Sequence, residues 1–194
     1  MTFLTYAGAI QIWFALYPFA KRVTNYPQIV LAVPFGGGVF LTLQSLGLDL
    51  FALDVGGFWA ATSLAGAAMT WPVLFDYVSA CRDTADDFKA GVKGMAVRFR
   101  NSTAFISILG SLQVGLLAST GLWAGFGKVY YMVACGGNAF LMGAMAMTAG
   151  HERSRVCTWW YTYGGLLVGG VTSVGLMGEY VQKSRKEVGD GEMQ

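Results

Sequence analysis

Six stretches of the chain lack any Asp, Glu, Lys, Arg or His: residues 1–20, 23–48, 55–75, 101–127, 129–150 and 156–178. About 20 helical residues, rising about 1.5 Å each, cross a hydrocarbon core of about 30 Å, so each stretch is long enough to span a bilayer. One helix this apolar can hide in a soluble core; six in succession cannot share one. Charged residues make up 12% of the chain, against about 25% in soluble domains. Backbone polar groups find no partners in lipid, so only helices and closed barrels span it. Barrel strands run about ten residues with alternating polarity, and these stretches are continuous and longer. The expected fold is all-α: a polytopic transmembrane helical bundle of about six spans.

Little else in the composition points to a different class. Cys81, Cys135 and Cys157 form neither a disulfide framework nor a CxxC pair, and read as packing residues. Gly121–Gly125 and Gly165–Gly169 are GxxxG pairs, common enough in membrane helices that neither by itself marks an interface. Residues 1–20 lack the basic flank of a signal peptide and read as a mature span. The net charge of +2 singles out no partner, and no nucleic acid is expected.

Alternating spans sort the connecting loops onto two faces. One face collects Lys21, Arg22, Arg82, Lys89, Lys93, Arg98, Arg100, Arg153 and Arg155. The other collects Asp49, Asp54 and Lys128, and a C-terminal segment, 181–194, that carries Lys183, Arg185 and Lys186 and is expected to be a short solvated tail. The positive-inside rule places the first face toward the cytosol or its organellar equivalent.

The first face holds the one dense cluster of mixed charge, "RDTADDFKAGVKGMAVRFR" (82–100). On a helix extending from the third span, Asp83, Asp86 and Asp87 share a face at i, i+3, i+4, with Asp76 two turns earlier on the same stripe. Asp76 lies at the edge of an apolar run, where an ionisable group is a functional candidate by default. Clustered carboxylates repel unless a cation joins them, and Mg²⁺ is a hard, oxygen-liganded ion held by one or two carboxylates plus substrate phosphates. Lys89 and Lys93 follow across Gly91, a residue suited to turning the helix, and would balance a bound diphosphate. Three readings are open on spacing alone: a diphosphate clamp at the mouth of a lipid-lined cavity, a solvated loop of mixed charge, or a cation pathway.

The residues "FDYVSACRDTADDFKAGVKGMAVRF" (75–99) resemble the second aspartate-rich motif of the UbiA family of membrane prenyltransferases, YD-xx-YA-xx-D-xx-DD-xxx-G-x-KS. "YPFAKRVTNYPQIVLAVPFG" (17–36) resembles the family's YP-xx-KR-x-T-xx-PQ segment, and the two blocks occur in family order. The resemblance continues to about residue 180. It implies a helical bundle that transfers a prenyl group from a prenyl diphosphate with Mg²⁺, the acceptor being an aromatic ring such as a phenolic acid. It places metal on Asp83, Asp86 and Asp87, diphosphate on Lys93, Lys21 and Tyr17, and catalysis on Asp76, Asp83 and Asp87, with Asp76 orienting its neighbours or taking the ring proton. Trp13, Phe14, Trp71 and Phe75 would line a prenyl tunnel, or simply pack. "GVKGMAVRFRN" is closer in wording to fungal secondary-metabolite (meroterpenoid) members than to the ubiquinone enzyme. That reading implies an endoplasmic-reticulum-type membrane rather than the inner mitochondrial membrane.

The sequence departs from the family pattern in two ways. Ser79 stands where the motif has its second tyrosine, and Lys93–Gly94 where it has KS. The family's first motif, N-D-xx-D-xxx-D, is absent; no Asp precedes Tyr17. The chain thus matches the C-terminal two-thirds of a nine-helix fold, with a UbiA-like domain over 1–180. Half of the carboxylate clamp is expected to leave diphosphate charge poorly compensated and transfer by this chain impaired. Two other outcomes are a catalytically inert membrane protein that pairs with a full-length relative, and a membrane terpene cyclase that ionises the same donor without an aromatic acceptor.

Overall fold

The computed structural model describes residues 3–81, 84–89, 91, 93–99, 102–149 and 154–191. The described residues are helical without strands. Helices α1 (Phe3–Val23), α2 (Pro27–Ser45) and α3 (Val55–Ala80) are followed by two short helices, α4 (Thr84–Lys89) and α5 (Met95–Phe99), then α6 (Thr103–Trp123). Next, α7 (Lys128–Tyr130), a π-helical stretch (Tyr131–Gly136) and α8 (Gly137–Ala149) run on as one span, and α9 (Ser154–Gly191) closes the chain.

Five of these spans, Phe3–Ala20, Pro27–Ser45, Val55–Ala80, Thr103–Trp123 and Lys128–Ala149, are long and apolar enough to cross a membrane. The expected sixth, 156–178, is a helix within α9 but falls outside that set among the described residues. Its many Gly, Tyr and Thr residues dilute its apolar content. The charged segment from Val181 is the last part of α9, helical to Gly191, with Val181, Gln182, Lys183 and Arg185 exposed.

Each helix starts or stops for a local reason. Asp54 caps α3 by accepting from the N–H groups of Gly56 and Gly57 at 3.2 Å each, and Ser102 caps α6 by accepting from Phe105. Asp49 does the same for a 3₁₀ turn (Leu50–Ala52) through the Phe51 N–H. Two acidic residues of the second face are therefore backbone caps. Pro27 opens α2 in its first turn, where a missing N–H leaves no bond unmade.

The helices pack as an antiparallel set in which α3 contacts α2, α6 and α9. At one end Trp59 of α3 stacks on Trp123 of α6 with ring centroids 6.3 Å apart. Near the other end Leu74, Tyr77 and Val78 of α3 are buried with Ile106, Met145, Ala149, Cys157 and Trp160. All three cysteines are buried without a disulfide, as packing residues should be. Helix α9 crosses the α7–α8 span closely at glycines: a Cβ on Gly175 would come 2.7 Å from the Ala134 nitrogen, and one on Gly137 would strike Val171.

The GxxxG pairs have other uses. Gly121 lies against the Tyr130 and Tyr131 rings of the following helix, while Gly125 ends α6 with a φ of +62°. Gly165 faces Trp71, and Gly169 has no neighbour within 4 Å of an added Cβ.

Candidate functional site

The two sequence blocks, 17–36 and 75–99, meet at Asp76. The carboxylate sits one turn before the end of α3. Its Oδ1 accepts from the Tyr17 hydroxyl at 2.9 Å, and its Oδ2 accepts from Gln28 Nε2 at 2.9 Å. Three helices, α1, α2 and α3, are thus tied through one side chain. Gln28 is 2% exposed. Its amide orientation follows from chemistry: the NH₂ must face the carboxylate, because the reverse would place oxygen against oxygen. Gln28 Oε1 is left buried without a partner.

The loop after α3 folds back over this cluster. The expected continuous helix from Asp76 to Asp87 is broken: α3 ends at Ala80 and α4 starts at Thr84. Thr84 Oγ1 donates toward the Ala80 and Cys81 carbonyls at 3.1 Å each. Asp76 and Asp87 therefore sit on separate helices. Gly91, with a φ of +69°, supplies the turn expected of it. The chain then returns through Lys93 and Gly94, and Gly94 lies beside Gln28, 3.8 Å from Nε2 to a Cβ placed there. Met95 and Ala96 anchor α5 in the core, and the Arg98 guanidinium lies 5.5 Å over the Tyr26 ring. The Ser102 N–H donates to the Tyr77 hydroxyl at 3.0 Å, so the motif's Tyr77 fixes the start of α6.

The candidate residues fare differently. Asp86 is well exposed and pairs with Lys89 at 3.8 Å, a surface pair worth little in water. Asp87, next to it on the same helix, is half-buried, and Lys93 is exposed beside Gly94. Asp83 lies outside the described residues, as does the side chain of Lys21. Among the described residues no three His, Cys, Asp or Glu side chains gather closely enough to hold a metal ion. Tyr17 and Asp76 do come together, but the Tyr17 hydroxyl proton is directed at Asp76. Ser79, in place of the motif tyrosine, donates to the Asp76 backbone carbonyl at 2.9 Å. Gln28 was not singled out as a site residue from the sequence, although it is the glutamine of the family-like PQ pair at 27–28.

Below Asp76 the walls are aromatic. Trp71 and Phe75 pair at 5.5 Å, and Phe75 stacks on Tyr161 of α9 at 5.1 Å. Phe14 of α1 meets Phe35 of α2 edge-on at 6.0 Å. Trp13 is 40% exposed on the same helix as Phe14. The arrangement is a carboxylate-bearing, cation-flanked rim over an apolar interior, able to receive a charged head with a greasy tail.

The UbiA prenyltransferase family matches residues 1–167. The chain is 36% identical over 147 residues to prenyltransferase ascA of Acremonium egyptiacum, covering 74% of this chain and 43% of that protein. It is 37% identical over 131 residues to DMOA farnesyltransferase nvfB of Aspergillus novofumigatus, covering 66% and 40% respectively. It is 31% identical over 148 residues to the mitochondrial 4-hydroxybenzoate polyprenyltransferase of Schizosaccharomyces pombe, covering 75% and 40%. The chain thus spans about two fifths of the length of these curated relatives. No solved structure matches it. With its apolar spans and a family match over most of its length, this integral membrane protein belongs to the UbiA prenyltransferase family.

Proposed function

We propose that the chain carries the diphosphate-binding half of a membrane prenyltransferase, moving a prenyl group from a prenyl diphosphate to an aromatic, phenolic-acid acceptor. The observation that carries this reading is the Tyr17–Asp76–Gln28 junction, which joins the two family-like segments beneath the Lys93–Gly94 turn. The names of the relatives, a farnesyltransferase and a 4-hydroxybenzoate polyprenyltransferase, support both halves of the reaction.

The donor set fits a divalent ion chemically: Asp83, Asp86 and Asp87 offer only hard carboxylate oxygens, as Mg²⁺ prefers. When bound, Mg²⁺ would neutralise charge that gathers on the departing diphosphate. Lys93 and Lys21 would add fixed positive charge to the same group. Tyr17, its O–H donating to Asp76, would orient that carboxylate beside the diphosphate. Asp76, held by two donors, can accept the proton that the ring loses after carbon–carbon bond formation. Trp71, Phe75 and Tyr161 keep water from the allylic cation and offer it their ring faces.

This rim would face the cytosol or its equivalent, in an endoplasmic-reticulum-type membrane in line with the fungal relatives. The chain holds one aspartate-rich segment, so it is expected to transfer slowly by itself and faster when reconstituted with a full-length relative. The test is transfer from farnesyl diphosphate to a phenolic acid in nanodiscs, with Mg²⁺ or with chelator. A prenylated acid formed only with Mg²⁺ supports the reading. A cyclised hydrocarbon formed without acceptor would replace it with terpene cyclisation.

A further inference from the structure

The bundle carries a groove of about 340 Å³ between α2, α3, α5 and α6. Helices α2 and α6 both pack on α3, and the short side chains Ala32, Thr70 and Val73 are buried as the groove floor. This is not the aromatic interior below Asp76. Met69 and Val73, which line the groove, lie two positions from Trp71 and Phe75. At about 100° per residue that is about 200° around α3, so the groove is on the other side of the helix. Ile29 and Leu112 on its flanks are half exposed, and an apolar side chain exposed on a membrane span faces lipid. The groove therefore opens to the bilayer.

Its lining is apolar throughout. The Thr70 hydroxyl is turned away, donating to the Gly66 carbonyl at 2.9 Å. Along α6 the groove runs from Phe105 to Leu112, about 10 Å at about 1.5 Å per residue. The hydrocarbon of one leaflet is about 15 Å deep, so the groove follows most of that depth. A gap left empty there would forfeit dispersion contacts, and a lipid chain fills it. Tails alone are interchangeable, because lipid is as apolar as the groove and no hydrophobic force favours one chain over another. Only a head group can make the choice.

The upper end of the groove supplies what a head group needs. Tyr26 and Phe99 line that end. Phe99 stacks on Phe105 at 4.6 Å, and Phe105 packs on Tyr77 at 4.7 Å, which fixes this wall. Arg98, the residue before Phe99, is exposed, with its guanidinium 5.5 Å over the Tyr26 ring. Contact with a ring face engages the cation without using an N–H. Among the described residues the guanidinium meets neither a carboxylate nor a hydrogen-bond acceptor. Its fork of donors, which matches phosphate oxygens, is left for a ligand. A cation above an apolar trough repeats in complement the order of a phospholipid, phosphate first and tail below. A zwitterionic head brings its own ammonium to compete for the phosphate and to repel the guanidinium; an anionic head brings none.

We propose that this groove binds an anionic phospholipid, one acyl chain in the trough and the phosphate on Arg98. Binding here involves no turnover, so it stands or falls apart from prenyl transfer.

The full chain in dodecylmaltoside micelles should be titrated with palmitoyl-oleoyl phosphatidylglycerol and with the phosphatidylcholine of the same chains, bound lipid being counted by native mass spectrometry. One phosphatidylglycerol is expected to be held about tenfold more tightly than phosphatidylcholine. Arg98→Ala is expected to bring that ratio to about one, and Lys128→Ala, at the opposite end of the bundle, to leave it unchanged. Leu109→Trp, which fills the groove below Phe105 and leaves Arg98 in place, is expected to weaken phosphatidylglycerol about tenfold. Thermal unfolding checks that each variant is folded, and added phosphatidylglycerol is expected to raise the midpoint of the native chain but not of Arg98→Ala. Equal affinity for the two lipids in the native chain, or a ratio unchanged in Arg98→Ala, would overturn the proposal. So would undiminished binding in Leu109→Trp. A dimer that Leu109→Trp dissociates would give the groove to a second copy, and displacement of the lipid by farnesyl diphosphate would give it to the prenyl donor; either result would also overturn it.

Discussion

Asp76 is the residue on which three helices agree. Removing its carboxylate leaves the Tyr17 hydroxyl and Gln28 Nε2 without acceptors, so Asp76→Ala is expected to lower stability by about 1–3 kcal/mol, read from denaturant unfolding in micelles. Tyr17→Phe and Gln28→Leu each remove one donor to the same carboxylate. Their double variant is expected to deviate from additivity by about 0.5 kcal/mol or more, because both act through one partner. Additive effects would show that the junction is not a unit. Asp76 was legible as a site residue because a charge at the edge of an apolar run needs a reason. Its partners were only partly legible. Tyr17 was visible through its segment, though not as a partner of Asp76, since sequence does not say where a hydroxyl proton points. Gln28 was visible only as a letter of the PQ pair and not as a partner of Asp76, because burial and the geometry of an amide are properties of packing.

At the scale of elements, the charge-free runs located five of the six expected spans to within a few residues, since the hydrocarbon core fixes length and polarity together. The interruption after Ala80 was not legible. Nothing in "SACRDT" is a strong helix breaker, so the end of α3 at Ala80 could not be read from residue types. Of the expected stripe of four carboxylates, Asp76 is on α3, Asp86 and Asp87 are on α4, and Asp83 lies outside the described residues. Close helix crossings were equally hidden: 27 glycines are scattered along the chain, and only contact geometry separates the tight ones from the bare ones. Gly175→Ala would force a methyl to within 3.0 Å of the Ala134 backbone, which cannot yield as a side chain can. It is expected to be destabilising by about 1–3 kcal/mol as an overpacked contact. Gly169→Ala, with open space around it, is expected to be neutral or slightly stabilising through better helix propensity of about 1 kcal/mol or less. Thermal unfolding of the two variants side by side checks this, and equal losses would refute the close crossing.

At the scale of the whole molecule, the two ends of the bundle differ in kind. One end is closed by caps and stacked indoles, with Asp49 and Asp54 turned onto backbone N–H groups and Lys183 donating to the Ala124 carbonyl at 3.3 Å. The other carries Asp76, Asp86, Asp87 and Lys93 over an aromatic interior. That asymmetry is what a charged head with an apolar tail requires, and it was legible from how the charges divide between loops. The measurement that tests it most directly is equilibrium binding of farnesyl thiodiphosphate, a donor that resists ionisation, to the full chain in nanodiscs with Mg²⁺ or chelator. Expected is binding that needs Mg²⁺ and weakens about tenfold or more in Asp87→Ala and in Lys93→Ala, as loss of a charge-assisted contact worth about 1.5–3 kcal/mol implies. Lys128→Ala, at the opposite end, is expected to bind as the native chain does. Binding indifferent to Mg²⁺ and to both rim substitutions would contradict the assignment of the rim as a diphosphate site.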